Sequence, residues 1–401
     1  MNASERRAAR SLAAVFAVRL IGLFMIYPVF ETYARGLRGA SPVMIGLALG
    51  AYGLTQGLLQ IPFGFASDRI GRKTMITIGL LLFAAGSVVA ARATSVEGVL
   101  VGRIVQGGGA VGSVVLALVA DLTRPEVRTR AMAMIGVTIG GAFGLAIVLG
   151  PPLEAVIGVA GIFWLTAVLA LIGIAITLGV VPTPEKSPVE REAEAVPALI
   201  GRVLRDRELI RLDVGIFALH AILISSFLAV PGLLGASFTI ATGGQWMIYL
   251  PVLVVSIVLM VPLVILAERG GRMKEVFLSA IVVLLASVLL LGFGGHDRVS
   301  VLVGLVLFFA AFNVMEAMLP SLVSRFAPAE AKGTAMGIYS SAQFLGIFAG
   351  GALGGAAQGL GGARGVFIFA ALVALGWLTS AIAMPQPAGR KSAAANAARP
   401  G

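Results

Sequence analysis

The sequence predicts an all-α membrane protein of about twelve transmembrane helices, arranged as two parallel six-helix bundles. Composition gives the first indication: the 401 residues are 58% hydrophobic and 12% charged, whereas soluble domains carry roughly 25% charged residues. The apolar residues come in runs of about 20, the length that a helix needs to cross a hydrocarbon layer of ~30 Å. Short loop sequences that follow these runs also recur in the second half of the chain.

The apolar runs define the expected membrane spans. In chain order these are 11–35, 43–66, 74–93, 96–120, 131–153, 158–181, 209–235, 244–267, 275–294, 298–324, 332–358 and 363–384. They form an N-terminal bundle, 1–181, and a C-terminal bundle, 209–384. Between the bundles, 182–208 is rich in Pro, Glu and Arg, so we expect a flexible cytoplasmic linker with a short surface helix near 197–204. The tail, 385–401, is expected to be disordered.

The distribution of basic residues predicts the orientation. With the N-terminus inside, 23 of the 30 Lys and Arg residues fall in cytoplasmic segments and 5 in outer loops, while Arg19 and Arg103 lie within helices. This asymmetry places both termini in the cytoplasm, and we expect a multi-pass protein of a bacterial inner membrane. The net charge of +11 resides in short loops between spans, so we expect the partner to be the lipid bilayer and not a nucleic acid.

Two loop sequences repeat along the chain. Asp68–Arg72, after the second span, is similar to Glu268–Arg272 after the eighth, at an offset of 200 residues. The segment that begins at Leu118, after the fourth span, matches the one that begins at Leu322, after the tenth, at an offset of 204. Two matches in equivalent loops predict two parallel repeats with a substrate path between them.

Several chemistries are excluded or disfavoured. The chain has no cysteine, which excludes disulfides, thiolate zinc sites and iron–sulfur clusters. Its two histidines, His220 and His296, are 76 residues apart and suggest no metal site. The glycine run 107–109 follows no strand and precedes no Gly-Lys-Ser/Thr, so it is not a nucleotide-binding loop. We therefore expect neither an enzyme nor a cofactor.

The most informative motif is the segment 64–73 after the second span. Gly64 permits close helix contact, Gly71 permits a tight turn, and Asp68 and Arg72 are spaced to pair. An alternative is that the basic residues serve only as anchors at the cytoplasmic surface, but anchors require neither the aspartate nor the glycines.

This segment resembles the loop signature of the major facilitator superfamily, Gly-x-x-x-Asp-Arg-x-Gly-Arg-Lys/Arg. The resemblance implies a cytoplasmic gate in which Asp68, Arg72 and Asp121, which ends the fourth span, form a charge relay with Gly64 at its base. In the family such a relay latches the outward-facing state and must break for inward opening. The alternative for Asp121 is a helix-end acid that is solvated by lipid headgroups.

Other segments extend the resemblance. Arg103–Ala110 is similar to the family's fourth-helix motif, and the set Gly136, Gly140, Gly144, Gly150 and Pro151 to the fifth-helix motif of its antiporter branches. The fifth-helix motif departs from the pattern at Pro152–Glu154, and the glycines also fit a plain helix-packing face with a proline kink.

The segments Arg19–Met25, Phe312–Ser324 and Gly333–Gly346 resemble the YajR-type subgroup of bacterial proton-coupled transporters. The resemblance extends to Met384, without the soluble C-terminal domain that some members carry.

Ionisable side chains inside expected membrane helices are functional candidates. The predicted proton-coupling residues are Glu316, His220 and Glu31. Burial favours the neutral form of a carboxyl group and water favours its charged form, so Glu316 ranks first. The alternative for His220 is a structural, hydrogen-bonded role, and the alternative for Glu31 is solvation at the outer mouth. The predicted residues of the central cavity or substrate path are Arg19, Arg103, Asn313 and Gln343.

The resemblance and these residues together predict a monomeric secondary transporter with alternating access. The expected reaction is proton-coupled export, by antiport, of a small amphipathic compound, driven by the proton gradient. Two alternatives stay open: a uniporter or proton symporter of a small nutrient, and a membrane receptor or sensor without transport. Flux in sealed vesicles, with and without a pH gradient, distinguishes them.

Overall fold

The computed structural model describes residues 1–183, 197–241, 243–295 and 297–386, and the described residues are nearly all helical. The helices are α1 Ala3–Phe24, α2 Phe30–Ala34, α3 Pro42–Ile70, α4 Arg72–Arg92, α5 Val96–Gly107, α6 Gly112–Asp121, α7 Pro125–Gly179, α8 Pro197–Val203, α9 Arg207–Ser226, α10 Val230–Ser237, α11 Trp246–Arg269, α12 Met273–Phe293, α13 Arg298–Phe326 and α14 Lys332–Ile382. The expected short surface helix is present as α8. Most of the linker prediction, His296 and the predicted tail lie outside the described residues.

The number of long apolar helices is compatible with twelve crossings. In the described ranges, nine helical stretches are long and apolar enough to span a membrane, with Val96–Asp121 (α5 and α6) counted as one stretch. Two of them, α7 and α14, have 55 and 51 residues, which is about 80 Å and more than twice the hydrocarbon thickness. They break at Gly158 and at Gly361–Gly362, so each supplies two spans. The arginine-rich α1 completes the set, and the prediction of an all-α membrane protein is confirmed.

Three spans that were expected to be continuous are interrupted. Span 11–35 breaks between α1 and α2, span 96–120 between α5 and α6, and span 209–235 between α9 and α10. Pro28 lies in the first break and lacks the N–H that helix continuation requires. In the second, a side chain on Gly109 would meet the carbonyl oxygen of Gly79 at 2.2 Å, so close helix packing occupies the space.

The two halves share backbone irregularities as well as loop sequences. Six glycines with positive φ form three pairs at offsets of 200 to 204 residues, namely Gly39 with Gly243, Gly71 with Gly271, and Gly158 with Gly362. Such φ values are accessible mainly to glycine. The same turns therefore recur at equivalent loops, as expected for two six-helix repeats.

The two ends of the bundle differ in how the halves meet. The basic end carries the loops at Gly71 and Gly271, and the opposite end carries those at Gly39 and Gly243. Toward the opposite end, α3 and α14 touch backbone to backbone: a Cβ on Gly46 would lie 2.1 Å from the carbonyl oxygen of Gly351. Small residues permit this approach.

Toward the basic end, glycines of α7 and α14 have no atom within 4 Å of a built Cβ; they are Gly136, Gly140, Gly141, Gly144, Gly333 and Gly337. The halves are therefore joined at the opposite end. Among the predicted packing residues, Gly150 does pack, since its Cβ would meet the carbonyl oxygen of Met25 at 2.3 Å. Gly140 and Gly144 make no such contact here, and Pro151 lies against the Gly243 turn.

Candidate functional site

The N-terminal half buries a guanidinium group among neutral partners. Arg19 of α1 is 1% exposed. Its Nη2 donates to the hydroxyl of Tyr52 (2.5 Å), to Oε1 of Gln56 (2.9 Å) and to the carbonyl oxygen of Gly109 (3.2 Å). The guanidinium carbon also lies 5.5 Å from the centre of the Phe83 ring, within cation–π range.

A second guanidinium lies nearby. Arg103 of α5 is fully buried and donates to Oε1 of Gln106 (3.0 Å) and to the carbonyl oxygen of Leu49 (3.2 Å). Gln106 is held in turn by its bond to Ser87 Oγ (2.7 Å). The centre of the Tyr52 ring is 5.2 Å from the Arg103 guanidinium carbon, so this ring contacts both arginines.

No carboxylate of the described residues lies within 4.0 Å of either arginine. Burying a charge without a counter-charge is costly, and here only hydroxyl, amide, carbonyl and aromatic groups offset the cost. The predicted cavity residues Arg19 and Arg103 thus form one cationic cluster.

The C-terminal half holds a titratable pair. His220 of α9 and Glu316 of α13 approach to 3.6 Å between Nε2 and Oε1. The imidazole Nδ1 lies 3.2 Å from the carbonyl oxygen of Ile216, and its Nε2 lies 2.8 Å from the amide nitrogen of Gln343. This pattern assigns the Nδ1–H tautomer, in which Nε2 accepts a hydrogen bond from Gln343. Three predicted residues therefore meet in one site.

In this pair two hydrogen-bond acceptors face each other. Oε1 of Glu316 is buried and has no hydrogen-bond partner, although the whole side chain is 32% exposed, against 8% for His220. A neutral imidazole nitrogen and a carboxylate oxygen at this distance both present lone pairs. A proton on either group would remove that repulsion, so protonation of one group affects the other.

Asn313 links helices within the same half. Its Nδ2 donates to Ser256 Oγ of α11 at 2.9 Å. Because residues three apart share a helix face, Asn313 lies on the face of α13 that carries Glu316. Its contact is structural in this arrangement.

Two polar residues near the pair were missed from the sequence. Asp213 lies seven residues before His220, which places it on the same face of α9 and about 10 Å closer to the basic end. Tyr339, 4% exposed, lies one turn before Gln343 on α14. Asp213 was detectable, because it is an acid inside the expected span 209–235. A tyrosine is common in membrane helices and gives no such signal.

Aromatic rings connect the two halves. Phe143 stacks on Phe312 at 5.8 Å between ring centres, and Phe312 contacts the His220 ring, also at 5.8 Å. Tyr52 meets Phe344 at 6.1 Å. The cationic cluster and the titratable pair are thus each next to an aromatic contact between the two halves: Tyr52 with Phe344, and Phe312 with Phe143.

Glu31 lies away from this centre, toward the opposite end. It is 3% exposed, pairs with Arg35 (2.5 Å) and accepts a hydrogen bond from Gln358 Nε2 (3.1 Å). Gln358 also donates to the carbonyl oxygen of Leu228 (2.8 Å), in the break between α9 and α10. Glu31 therefore belongs to the contact that joins α1–α2 of one half to α14 of the other.

The charged loop of the basic end is assembled as its spacing predicts. Arg72 contacts Asp68 at 2.5 Å and Asp121 at 3.1 Å, and the nearest atom to a Cβ on Gly64 is Ser113 Oγ, at 3.8 Å. All of these residues belong to the N-terminal half. The ion pairs hold α3, α4 and α6 together while the halves meet at the other end, so they do not themselves bridge the halves. They need not break when one half moves rigidly against the other.

Comparison with protein families shows the family to which the chain belongs. Residues 12–253 and 229–400 match the Major Facilitator Superfamily. The chain belongs to this superfamily. The prediction from the loop signature is confirmed, and because the family's members are transporters, the expectation that the chain is not an enzyme is confirmed as well.

Similar proteins of the superfamily are also named as transport or resistance proteins. The chain is 45% identical to the inner membrane transport protein YajR of Escherichia coli (strain K12) over 388 residues, which cover 96% of this chain and 85% of that protein. It is 27% identical to the multidrug resistance protein MdtH of Aeromonas hydrophila over 348 residues, 84% of each. A solved bacterial homologue of the human lysosomal transporter Spinster shares the fold, with a TM-score of 0.72, 12% identity and coverage of 96% of this chain and 98% of that chain.

Proposed function

We propose that this superfamily transporter is a proton-coupled antiporter that exports a small amphipathic compound by alternating access. The observation that carries the proposal is the His220–Glu316 pair. It is a protonatable pair that lies next to the aromatic contact between the halves. A coupling site needs a group whose charge depends on which side of the membrane it faces.

The exchange follows from solvation. With the basic end accessible, water stabilises the Glu316 carboxylate and the pair releases a proton. When the halves close over the site, loss of water favours the neutral pair. A proton therefore enters from one side and leaves on the other without nucleotide hydrolysis. Phe312 contacts both His220 and Phe143 of the other half, so the charge of the pair affects the contact between the halves.

The direction and the kind of substrate rest on three supports. The excess of basic residues at the basic end favours a cytoplasmic location for that end in an inner membrane. Aromatic and aliphatic side chains dominate the central contact, which suits a substrate with an apolar part. Relatives that are named multidrug resistance proteins cover more than four fifths of the chain.

The joined opposite end fits the role of an outer gate. There Gln358 bridges Glu31 and the Leu228 carbonyl, and the glycines of α3 and α14 touch. Opening this gate must separate these contacts, whereas the Asp68–Arg72–Asp121 cluster can move as part of the N-terminal half. We assign that cluster the task of keeping the cytoplasmic ends of α3, α4 and α6 together during the movement.

The test is flux in sealed vesicles with an imposed pH gradient. Glu316→Gln mimics the protonated acid, so it is expected to retain substrate binding and counterflow and to lose pH-driven accumulation. Glu275→Gln is the matched control, because Glu275 is an exposed acid of the same half (69%).

Undiminished gradient-driven transport by Glu316→Gln would refute the coupling site. Native flux that ignores the gradient would indicate the uniporter. Uptake with protons moving in the same direction would indicate the symporter, and binding without any flux would indicate the receptor.

A further inference from the structure

A groove of about 510 Å³ lies at the basic end and is lined only by residues of the N-terminal half. One wall is the start of α1 and the other is the C-terminal end of α7. The α1 wall contributes Arg6, Arg7 and Arg10, and the α7 wall contributes Ile176 and Val180. The groove thus combines a basic side with an apolar side.

The sequence of α1 produces the basic side. Arg6, Arg7 and Arg10 follow one another at spacings that keep them on one face of a helix, together with Ala3 and Ala14. The small alanines leave the space that the groove occupies, and the arginines surround it. All three arginines are exposed.

Among the described residues, no acidic side chain neutralises the positive charge of the groove. Arg6 donates to the carbonyl oxygen of Met1 (2.8 Å) and Arg7 to that of Val180 (3.1 Å). In the described part of the chain, Arg10 takes part in no hydrogen bond or ion pair, and no acidic residue lines the groove. The nearby Glu5 is turned away, because both its oxygens face Arg124.

We propose that this groove binds the headgroup phosphate of an anionic phospholipid, with an acyl chain against Ile176 and Val180. Guanidinium groups match phosphate oxygens in geometry and charge. Basic pockets where helices leave the membrane on the positively charged side are suited to such headgroups. The apolar wall favours a lipid over a free phosphate, because a free ion leaves that wall in water. The site is independent of proton coupling.

The experiment measures lipid binding to the full-length protein in detergent by native mass spectrometry and by thermal shift. The probes are phosphatidylglycerol and phosphatidylcholine with identical acyl chains, and glycerophosphate as the free headgroup. The groove variant is Arg6→Gln/Arg7→Gln/Arg10→Gln. The control is Arg269→Gln/Arg272→Gln/Lys274→Gln, which removes the same charge at the same end but outside the groove.

The native protein and the control are expected to bind phosphatidylglycerol in preference to phosphatidylcholine. The groove variant is expected to lose the preference, at about fivefold in affinity for each arginine removed. If the triple variant does not fold, Arg10→Gln alone is expected to give a single step of the same loss. Equal losses in groove and control variants would show general surface attraction and overturn the site. Full competition by glycerophosphate, or equal binding of the two lipids, would overturn the lipid assignment.

Discussion

The two halves of this transporter repeat the same backbone but carry different ionisable groups in their interiors. The N-terminal half holds Arg19 and Arg103 without a carboxylate partner among the described residues. The C-terminal half holds Asp213, Glu316 and His220 in the corresponding interior. The glycine turns coincide at offsets of 200 to 204 residues, so the repeat preserved the architecture while the side chains diverged.

The difference separates a permanent charge from a switchable one. A guanidinium group keeps its proton at every accessible pH, so the N-terminal cluster provides a constant positive field. A carboxyl group beside an imidazole gains or loses a proton with a change of solvation. The comparison assigns proton exchange to the C-terminal half and a fixed electrostatic role to the N-terminal half.

The largest effect is expected when one of the permanent charges of the N-terminal half is removed. In Arg103→Met an apolar chain of similar length replaces a buried charge that has no acid partner, which favours the folded state. The lost hydrogen bonds to Gln106 and Leu49 offset this gain, so the stability is expected to stay within a few kcal/mol of the native value. Transport is expected to fall by at least about tenfold, which corresponds to about 1.4 kcal/mol. Vesicle flux and thermal unfolding measure the two effects.

The control for this change is Arg298→Met, an exposed arginine of the C-terminal half, which is expected to leave flux unchanged. Proton release on substrate binding is expected to persist in Arg103→Met, because the titratable pair is intact. Loss of proton release would show that the arginine itself belongs to the coupling site.

A smaller effect is expected from the second member of the pair. His220→Gln keeps a side chain that can hydrogen-bond Gln343 but removes the imidazole proton site. Flux is expected to stay within about tenfold of the native value, or about 1.4 kcal/mol, with a shifted pH optimum. The measurement is gradient-driven flux across a pH series.

Gln343→Leu serves as the control, since it removes the amide and leaves both titratable groups. It is expected to keep the native proton stoichiometry. A loss of coupling in His220→Gln as complete as in Glu316→Gln would make histidine an equal carrier.

The membrane spans were predictable because the bilayer fixes their length and polarity. Loop chemistry gave further detail: the spacing of Asp68 and Arg72 predicts their pairing, and both do meet. The break between α1 and α2 has a signal in the sequence, Pro28, which hydropathy alone does not register. The break between α5 and α6 was not predictable, because it depends on which helices touch, as the contact between Gly79 and Gly109 shows.

The candidate site was also predictable only in part. Ionisable residues inside spans stand out in sequence, so Glu316 and His220 were identified singly. Their pairing was not, because 96 residues and several helices separate them. The neutral partners Tyr52 and Gln56 gave no signal, since such side chains are tolerated in many helices and acquire a role only through the arginine that they contact.

The smallest expected effect contrasts the ion pairs that tie each half together at the basic end. In the N-terminal half, Glu5 and Arg124 meet at 2.8 Å and Glu5 is 5% exposed. Arg202 of the linker helix α8 and Glu330 of the C-terminal half also meet at 2.8 Å, but both are more than half exposed. Exposed pairs contribute little to stability. Glu5→Gln is therefore expected to lower the melting temperature slightly, and Glu330→Gln to leave it unchanged, in thermal unfolding at neutral pH.

The pH dependence sharpens this last test. The hydrogen bond from Arg124 lowers the pKa of Glu5 from its ordinary value of 4.5 to about 2. A group whose pKa is lower in the folded state stabilises it above the ordinary value and loses that contribution as pH falls toward the lowered value. The difference in melting temperature between native protein and Glu5→Gln should thus be constant from pH 5 to neutral and shrink below about pH 4.5. A difference that grows on acidification would mean that Glu5 is not held by Arg124. The Glu5–Arg124 and Arg202–Glu330 pairs would then contribute equally little to stability.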